Sequence, residues 1–477
     1  MKTPMLTGCH ATIAAAVTAL CLAPPAHAAV TISSAATSNM SCVSGVCSPT
    51  AANAVLNVGD LTTMLASGSV TVNTGTGSLP AQVEDIIVAA TFNWASANAL
   101  TLDAYRSVTF TAPVAVNGAA PVALVTNDGG SGGNLLFSLG GSLSFLGTAN
   151  GLTINGKVFT LVDDIATLAT DVAANPGGSF ALAVNYNASP DGIYPVSPIA
   201  TEFSGTFEGL GNTITNFSIA NRKQRSTFGL FSINSASGII ANLQLSRADL
   251  SESGVDSCIG GIVGENDGLL FGDHVAGVVT GFRYSSIGGL VGLNEGSVTD
   301  SSASTSVIGF DAANVGGLVG YNDGASAVIS ASYAAGSAKG LRSNLGGLVG
   351  NDTNGVIVNS YSIGTIEENG SEVPGGGMIG QFIDGMVSEA YSTGRVKDGG
   401  GFLGEYLGLS ISSSYWDTQT SKEKYAAGNA RKVPGVTGET TAKLQAGLPS
   451  GFDPTIWAES PSINNGLPYL IANPPPQ

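Results

Sequence analysis

The sequence predicts an all-β chain wound as a parallel β-helix, a β-solenoid with a short side helix near 161–174 and a C-terminal cap. Three observations carry that prediction. A phrase of two glycines, two apolar residues and a glycine occurs six times, starting at Gly260, Gly288, Gly316, Gly346, Gly376 and Gly400. The steps between copies are 28, 28, 30, 30 and 24 residues, a period that marks stacked repeats. The composition, with 66 glycines and only 11% charged residues, suits tight turns and small side chains better than a helical enzyme. Elsewhere, short runs alternate apolar and polar residues between Gly, Asn, Asp or Pro, as half-buried strands do.

Residues 1–28 read as a secretory signal peptide. Lys2 gives the positive start, Ala11 to Leu22 the apolar stretch, and Ala26-His27-Ala28 the small-x-small cleavage site. The stretch is too short to span a membrane, which takes about 20 residues, and Leu20 stands where lipidation at Cys21 wants a small residue. The expected mature chain starts near Ala29 and keeps three cysteines. Cys42 and Cys47 flank a four-residue loop that an oxidising compartment would bridge. A structural zinc there would need further Cys or His ligands, and the mature chain offers only His274. Cys258 reads as a small buried apolar residue.

From 29 to 160 the text is strand-like without a clean repeat, as in Val70-Thr71-Val72 and Val108-Thr109-Phe110-Thr111. From 161 to 199 a connecting segment opens with Leu161, Ile165, Leu168 and Val172 at helical spacing. Asp163 or Asp164 is placed to cap this helix, and Asn175-Pro176-Gly177-Gly178 stops it. The regular array occupies 200–415, with Phe228-Gly229-Leu230-Phe231 as a divergent first copy. A capping segment fills 416–477, where Thr440 to Gln445 fits one helical turn and Phe452, Trp457 and Tyr469 supply aromatic cover. One period per coil turn would make the mature chain a single rod.

Within a repeat, the double glycine permits close backbone approach or a positive φ. One of the two apolar residues after it must face inward. Asn266, Asn294 and Asn322 share the offset six residues after the first glycine, with Asp352 next, then Phe382 and Tyr406. Stacked, they would bond side chain to side chain or to turn backbone. Tyr333, Tyr361, Tyr391 and Tyr415 recur later in their repeats, each after a small residue. Such a row either packs as an aromatic stack or binds sugar by stacking, and the small neighbours favour packing.

The Gly-Gly-Leu-Val-Gly phrase and the Ser-Tyr-Ser-x-Gly at Ser360 to Gly364 resemble the GLUG motif of large secreted bacterial proteins of the filamentous haemagglutinin type. Segments at Gly205 to Ile214 and Ser414 to Ser421 resemble sequences flanking such repeats. The resemblance covers about residues 200 to 470. It implies a right-handed parallel β-helix exported by a Gram-negative bacterium, with a role in adhesion or surface structure.

The formal charge of −17 comes from 34 acidic against 17 basic residues, and loss of Lys2 makes it −18. That balance disfavours nucleic acid and anionic membrane as partners. After Ala29 no apolar run is long enough to span a bilayer. Asp267, Glu295 and Asp323 share the slot after the Asn ladder and would form an acidic stripe, the raw material of a glycosidase or lyase. The same slot later holds Thr353, Ile383 and Leu407, so turn residues are the favoured reading. Asp273-His274 reads as a turn rather than a base, and no Gly-x-Ser-x-Gly elbow accompanies it. The expectation is a secreted, non-catalytic, adhesin-like protein, extracellular or on the cell surface, with the periplasm as the other compartment. It would present turns to a glycan or a neighbouring cell surface, without metal or cofactor. The alternative is a carbohydrate-active β-helix enzyme using acidic residues on one face.

Overall fold

Strands of two to ten residues, separated by Asn, Asp and Gly turns, stack in parallel register from Ala29 onward. The computed structural model describes residues 28–75, 83–138, 140–368, 373–408 and 410–476, so residues 1–27 of the expected signal peptide lie outside it. The architecture is a β-solenoid of about 13 turns with three short α-helices among the described residues. None of the described helices is long and apolar enough to cross a membrane.

The described chain holds two coil cores rather than one rod. The first gathers Val30, Ile32, Ile86, Val88, Val108 and Phe110 from a five-stranded parallel sheet, with residues of two companion sheets. Helix α1 (Val58–Ser67) covers the end of this coil, burying Leu61 and Leu65. Asn57 caps it by accepting from Gly59 N at 2.8 Å and Asp60 N at 3.3 Å. Helix α1 interrupts text that otherwise reads as strand, and its signal in the sequence is the Asn57 cap with the Leu61 and Leu65 pair at i, i+4. A hairpin pairs Met40–Val43 with Val46–Pro49 and carries the Cys42–Cys47 disulfide.

The coils are joined by an antiparallel hairpin between Leu152–Ile154 and Lys157–Val162. Its turn residues, Asn155 (φ 50°) and Gly156 (φ 75°), are both left-handed, the geometry favoured by Asn-Gly. The last rung of the first coil then lies across three successive turns of the second. Phe145 N donates to Ala183 O (2.7 Å) and Leu143 N to Leu210 O (3.0 Å), while Asn242 Nδ2 donates to Leu135 O (3.2 Å). One rung touching three turns means that the coil axes cross, and the chain forms an elbow. This corrects the single rod: the hairpin reverses the strand direction, so the second coil does not continue the first.

Helix α2 (Ile165–Ala174) starts at Asp164, whose Oδ1 accepts from Thr167 N at 2.7 Å, and ends at Asn175. Ile165, Leu168 and Val172 are buried in the second core, with Phe180 and Phe203. In that coil Gly288, Gly316, Gly346, Gly376 and Gly400 stand in direct register. Close approach is the reason for glycine, since a Cβ added at Gly316 would lie 1.8 Å from Val319 O. Both following apolar residues are buried, as in Ile262 and Val263 or Leu290 and Val291. Strand alternation alone would turn one of them inward, but a bend at this point turns both inward.

The end of the coil is closed by Ala426, Ala427 and Val433, which join the second core. Helix α3 (Thr441–Leu444) follows, capped by Thr440. Beyond it the chain doubles back as a strap along the outside. Trp457, Phe452 and Leu470 cover a tyrosine stack in which Tyr333 and Tyr361 lie 4.8 Å apart and Tyr361 and Tyr391 5.0 Å. Trp457 Nε1 donates to Asn359 Oδ1 at 3.0 Å, and the Tyr391 hydroxyl to Pro468 O at 2.5 Å. Of the two readings of the tyrosine row, the packed one describes these three.

Candidate functional site

The elbow creates a cleft of about 430 Å³ between the side of the first coil and the outer face of the second. Its floor follows from strand periodicity. Residues of Thr206–Glu208, Ile239–Ala241, Leu269–Phe271 and Ser297–Thr299 stack in register, presenting Glu208, Ala241, Phe271 and Thr299 as one column. The wall comes from Thr126, Asn127, Asn134 and Leu135, with Asn155 of the joining hairpin and Asn242 at the corner.

Glu208 is the carboxyl group of the lining. It is 6% exposed, and its Oε1 accepts from Asn242 Nδ2 at 2.9 Å and Leu210 N at 3.1 Å. Burial pushes its pKa up to about 8, against those two hydrogen bonds, which favour the charged form. Near neutral pH it is largely a carboxylic acid, able to donate as well as accept. The Asn127 and Asn155 amides are tied to Gly133 and Thr126 backbone groups, so the rim is held in shape. Asn134 is exposed. The arrangement offers hydroxyl, amide and carboxyl groups beside one aromatic face, the mixture that binds uncharged polar ligands. Sequence reading missed it because residues from 126 to 299 meet only through the elbow.

The asparagines form one continuous ladder, longer than the three noted above. Nδ2 of Asn234 donates to Oδ1 of Asn266 (2.8 Å), Asn266 to Asn294 (2.7 Å), Asn294 to Asn322 (2.7 Å) and Asn322 to Asp352 (2.6 Å). All are fully buried, so the ladder is scaffold rather than binding surface. Phe382 and Tyr406 continue the column with stacked rings 6.4 Å apart.

The acidic stripe is present beside it. Oxygens of Glu265, Asp267 and Glu295 lie within 4.8 Å of one another. Burial and then repulsion from Asp267 raise the pKa values of Glu265 and Glu295, with Glu295 acting further on Glu265 and Asp323 on Glu295. Cys258 lies close enough to Glu265 and Glu295 that burial and their charges push its thiol up to about 12, so it is an inert thiol.

His274 opens the strand His274–Gly281 rather than sitting in a turn, because its register partners Gln244 and Ser302 are both in strands. Its Nδ1 lies 2.7 Å from Ser302 Oγ, and burial lowers its pKa to about 4. The neighbouring Asp273 carboxylate accepts from Leu243 N at 2.9 Å, bonded to backbone rather than to the imidazole.

With this geometry in hand, comparisons with known proteins locate the chain broadly. The GLUG motif family matches residues 284–308. A solved structure described as "a putative immunoglobulin A1 protease from Bacteroides ovatus" is similar over 66% of this chain and 92% of its own, at 18% identity and a TM-score of 0.46. A second, described as "IgA1 Protease", is similar over 52% of this chain at 21% identity and a TM-score of 0.37. This chain spans 20% of that structure's length. No curated protein matches the chain. Identities this low carry no activity across.

Proposed function

We propose that the chain is a secreted, non-catalytic, adhesin-like β-solenoid of the filamentous haemagglutinin type that binds a glycan in the elbow cleft. The observation carrying this reading is the cleft lining: side-chain amides and hydroxyls around one neutralised carboxyl, with Phe271 for a sugar face to rest on. Glycosidic cleavage ordinarily uses two carboxyl groups flanking the bond, and among the described lining residues Glu208 supplies one. The reading divides the chain into a signal peptide, a first coil, a linking segment with α2, the GLUG coil and the C-terminal cap.

The experiment is titration of the purified chain with neutral and acidic oligosaccharides, following both binding and chain cleavage. Binding of a neutral oligosaccharide, weakened at least tenfold by Phe271→Ala, is expected without cleavage. Cleavage abolished by Asp267→Ala or Asp323→Ala would replace this reading with the acidic-stripe enzyme.

A second reading, hydrolysis by a serine nucleophile, has one observation behind it: the 2.7 Å contact of Ser302 with His274. Ser302 is only 5% exposed and the neighbouring Asp273 is bonded to backbone rather than to the imidazole, so the binding reading stands first. Labelling of Ser302 by a fluorophosphonate, absent in Ser302→Ala, would reverse that order.

A further inference from the structure

A second surface, remote from the cleft in function, stands on the corner that follows Gly281, Gly309 and Gly340. In five successive turns this corner holds a left-handed residue: Arg225 (φ 52°), Asp256 (φ 56°), Tyr284 (φ 58°), Asp311 (φ 59°) and Arg342 (φ 51°). Backbone bonds lock the corners together, Arg225 N to Val255 O at 2.8 Å, Asp256 N to Arg283 O at 3.0 Å and Asp311 N to Leu341 O at 3.0 Å. Charges therefore stack at one coil rise, about 4.8 Å per turn. Arg225 pairs with Asp256 at 3.6 Å, and both Arg283 and Arg342 pair with Asp311.

On the same corner large rings face solvent. Phe282 is 38% exposed, Phe310 42% and Tyr284 63%, with the phenylalanine rings 6.1 Å apart. In a chain that buries its tyrosine stack under a strap, an open row of rings marks an interaction surface. Arg222 and Lys223 are exposed in the first of these turns and make no ion pair among the described residues. Basic side chains thus outnumber Asp256 and Asp311 along the ridge, on a chain whose formal charge is −17.

The geometry points to this ridge as a docking surface for an acidic polysaccharide, a chain of uronate-type sugars. Sugar faces would stack on Phe282, Tyr284 and Phe310 while arginine and lysine meet the carboxylates. The ring spacing is near the length of one pyranose unit, so successive sugars meet successive turns. Duplex DNA fits worse: with one charge per about 1.7 Å of axis it needs a continuous basic stripe, whereas acidic residues interrupt this ridge.

The test is binding of the full chain to polygalacturonate at low and physiological salt, beside dextran, single-stranded DNA and anionic vesicles. Salt-sensitive binding to polygalacturonate is expected, weakened at least tenfold by Phe282→Ser with Phe310→Ser and about threefold or more by Arg222→Gln with Lys223→Gln. Each variant should keep the wild-type thermal midpoint and its cleft binding of neutral sugar, which separates this surface from the elbow cleft. Absence of polygalacturonate binding, folded variants that bind like wild type, or equal affinity for DNA or vesicles would overturn the proposal.

Discussion

Asn322 donates from Nδ2 to Oδ1 of Asp352 at 2.6 Å, and there the buried amide ladder ends in a carboxyl group. The other oxygen, Oδ2, is buried with no hydrogen-bond partner among the described residues. Burial raises the Asp352 pKa to about 7, opposed by the bond from Asn322 and assisted by Asp323. The folded state therefore holds a proton that the unfolded chain releases near pH 4.

The sign follows from that difference. A carboxyl with a raised folded pKa favours folding at low pH, and this contribution is lost as pH rises from about 4 to about 7. Asp352→Asn, which extends the ladder with an amide, is expected to stabilise the protein at pH 8 by about 1–4 kcal/mol. The gain should vanish near pH 4. Denaturant unfolding of both proteins at the two pH values checks it; an unchanged difference between them would refute it.

Glu208 should make cleft binding pH-dependent. Below about pH 8 its carboxyl can donate to a sugar hydroxyl, and above it the group is an acceptor only. Affinity for a neutral oligosaccharide is expected to fall between pH 7 and pH 9. Glu208→Gln, a permanent donor, should bind with little pH dependence in calorimetric titration.

The strap over the tyrosines is a large stabilising element. Trp457 is 1% exposed and lies 5.9 Å from Tyr361 and 5.8 Å from Tyr391. Trp457→Ala is expected to cost about 3–5 kcal/mol. If the strap lifts, protease should cut first between 445 and 476 in the variant, a pattern read by mass spectrometry.

The double glycines tolerate nothing larger. At Gly316 an added methyl would sit 1.8 Å from Val319 O and 2.7 Å from Gly350 N, both backbone atoms that cannot swing away. Gly316→Ala should lower the thermal midpoint strongly or abolish soluble expression. At Gly324 (φ 92°) no atom lies within 4 Å of the added Cβ, so Gly324→Asn, an αL-tolerant change, should be nearly neutral.

The repeating part of this architecture was legible because its cause is local. A stacked coil needs glycine where one backbone crosses the next, so Gly260 to Gly400 announce the period, and Asn266, Asn294 and Asn322 announce the ladder. The cap at Asp163 or Asp164 and the helical turn near Thr440 to Gln445 could be read for the same reason, with Asp164 and Thr440 the residues that cap. Helix α1 left a readable trace in Asn57, Leu61 and Leu65, yet its flanking strand text masked it. The elbow left none: Asn242 and Leu135 are 107 residues apart, and nothing in either neighbourhood specifies the other. The strap was legible only as aromatic cover. Its destination beside Asn359, 98 residues upstream of Trp457, depends on a path that no periodicity encodes.

That path has a consequence for how the protein can vary. Solenoids lengthen or shorten by whole repeats at little local cost, but here Tyr415, Tyr391 and Asn359 hold Ser450, Pro468 and Trp457, and Asn473 reaches Ser301 and Ala331. A repeat lost or gained between 301 and 415 would leave the strap out of step with its anchors by one rung. The tail thus works as a ruler laid along the coil, and the number of turns beneath it is a quantity the protein measures.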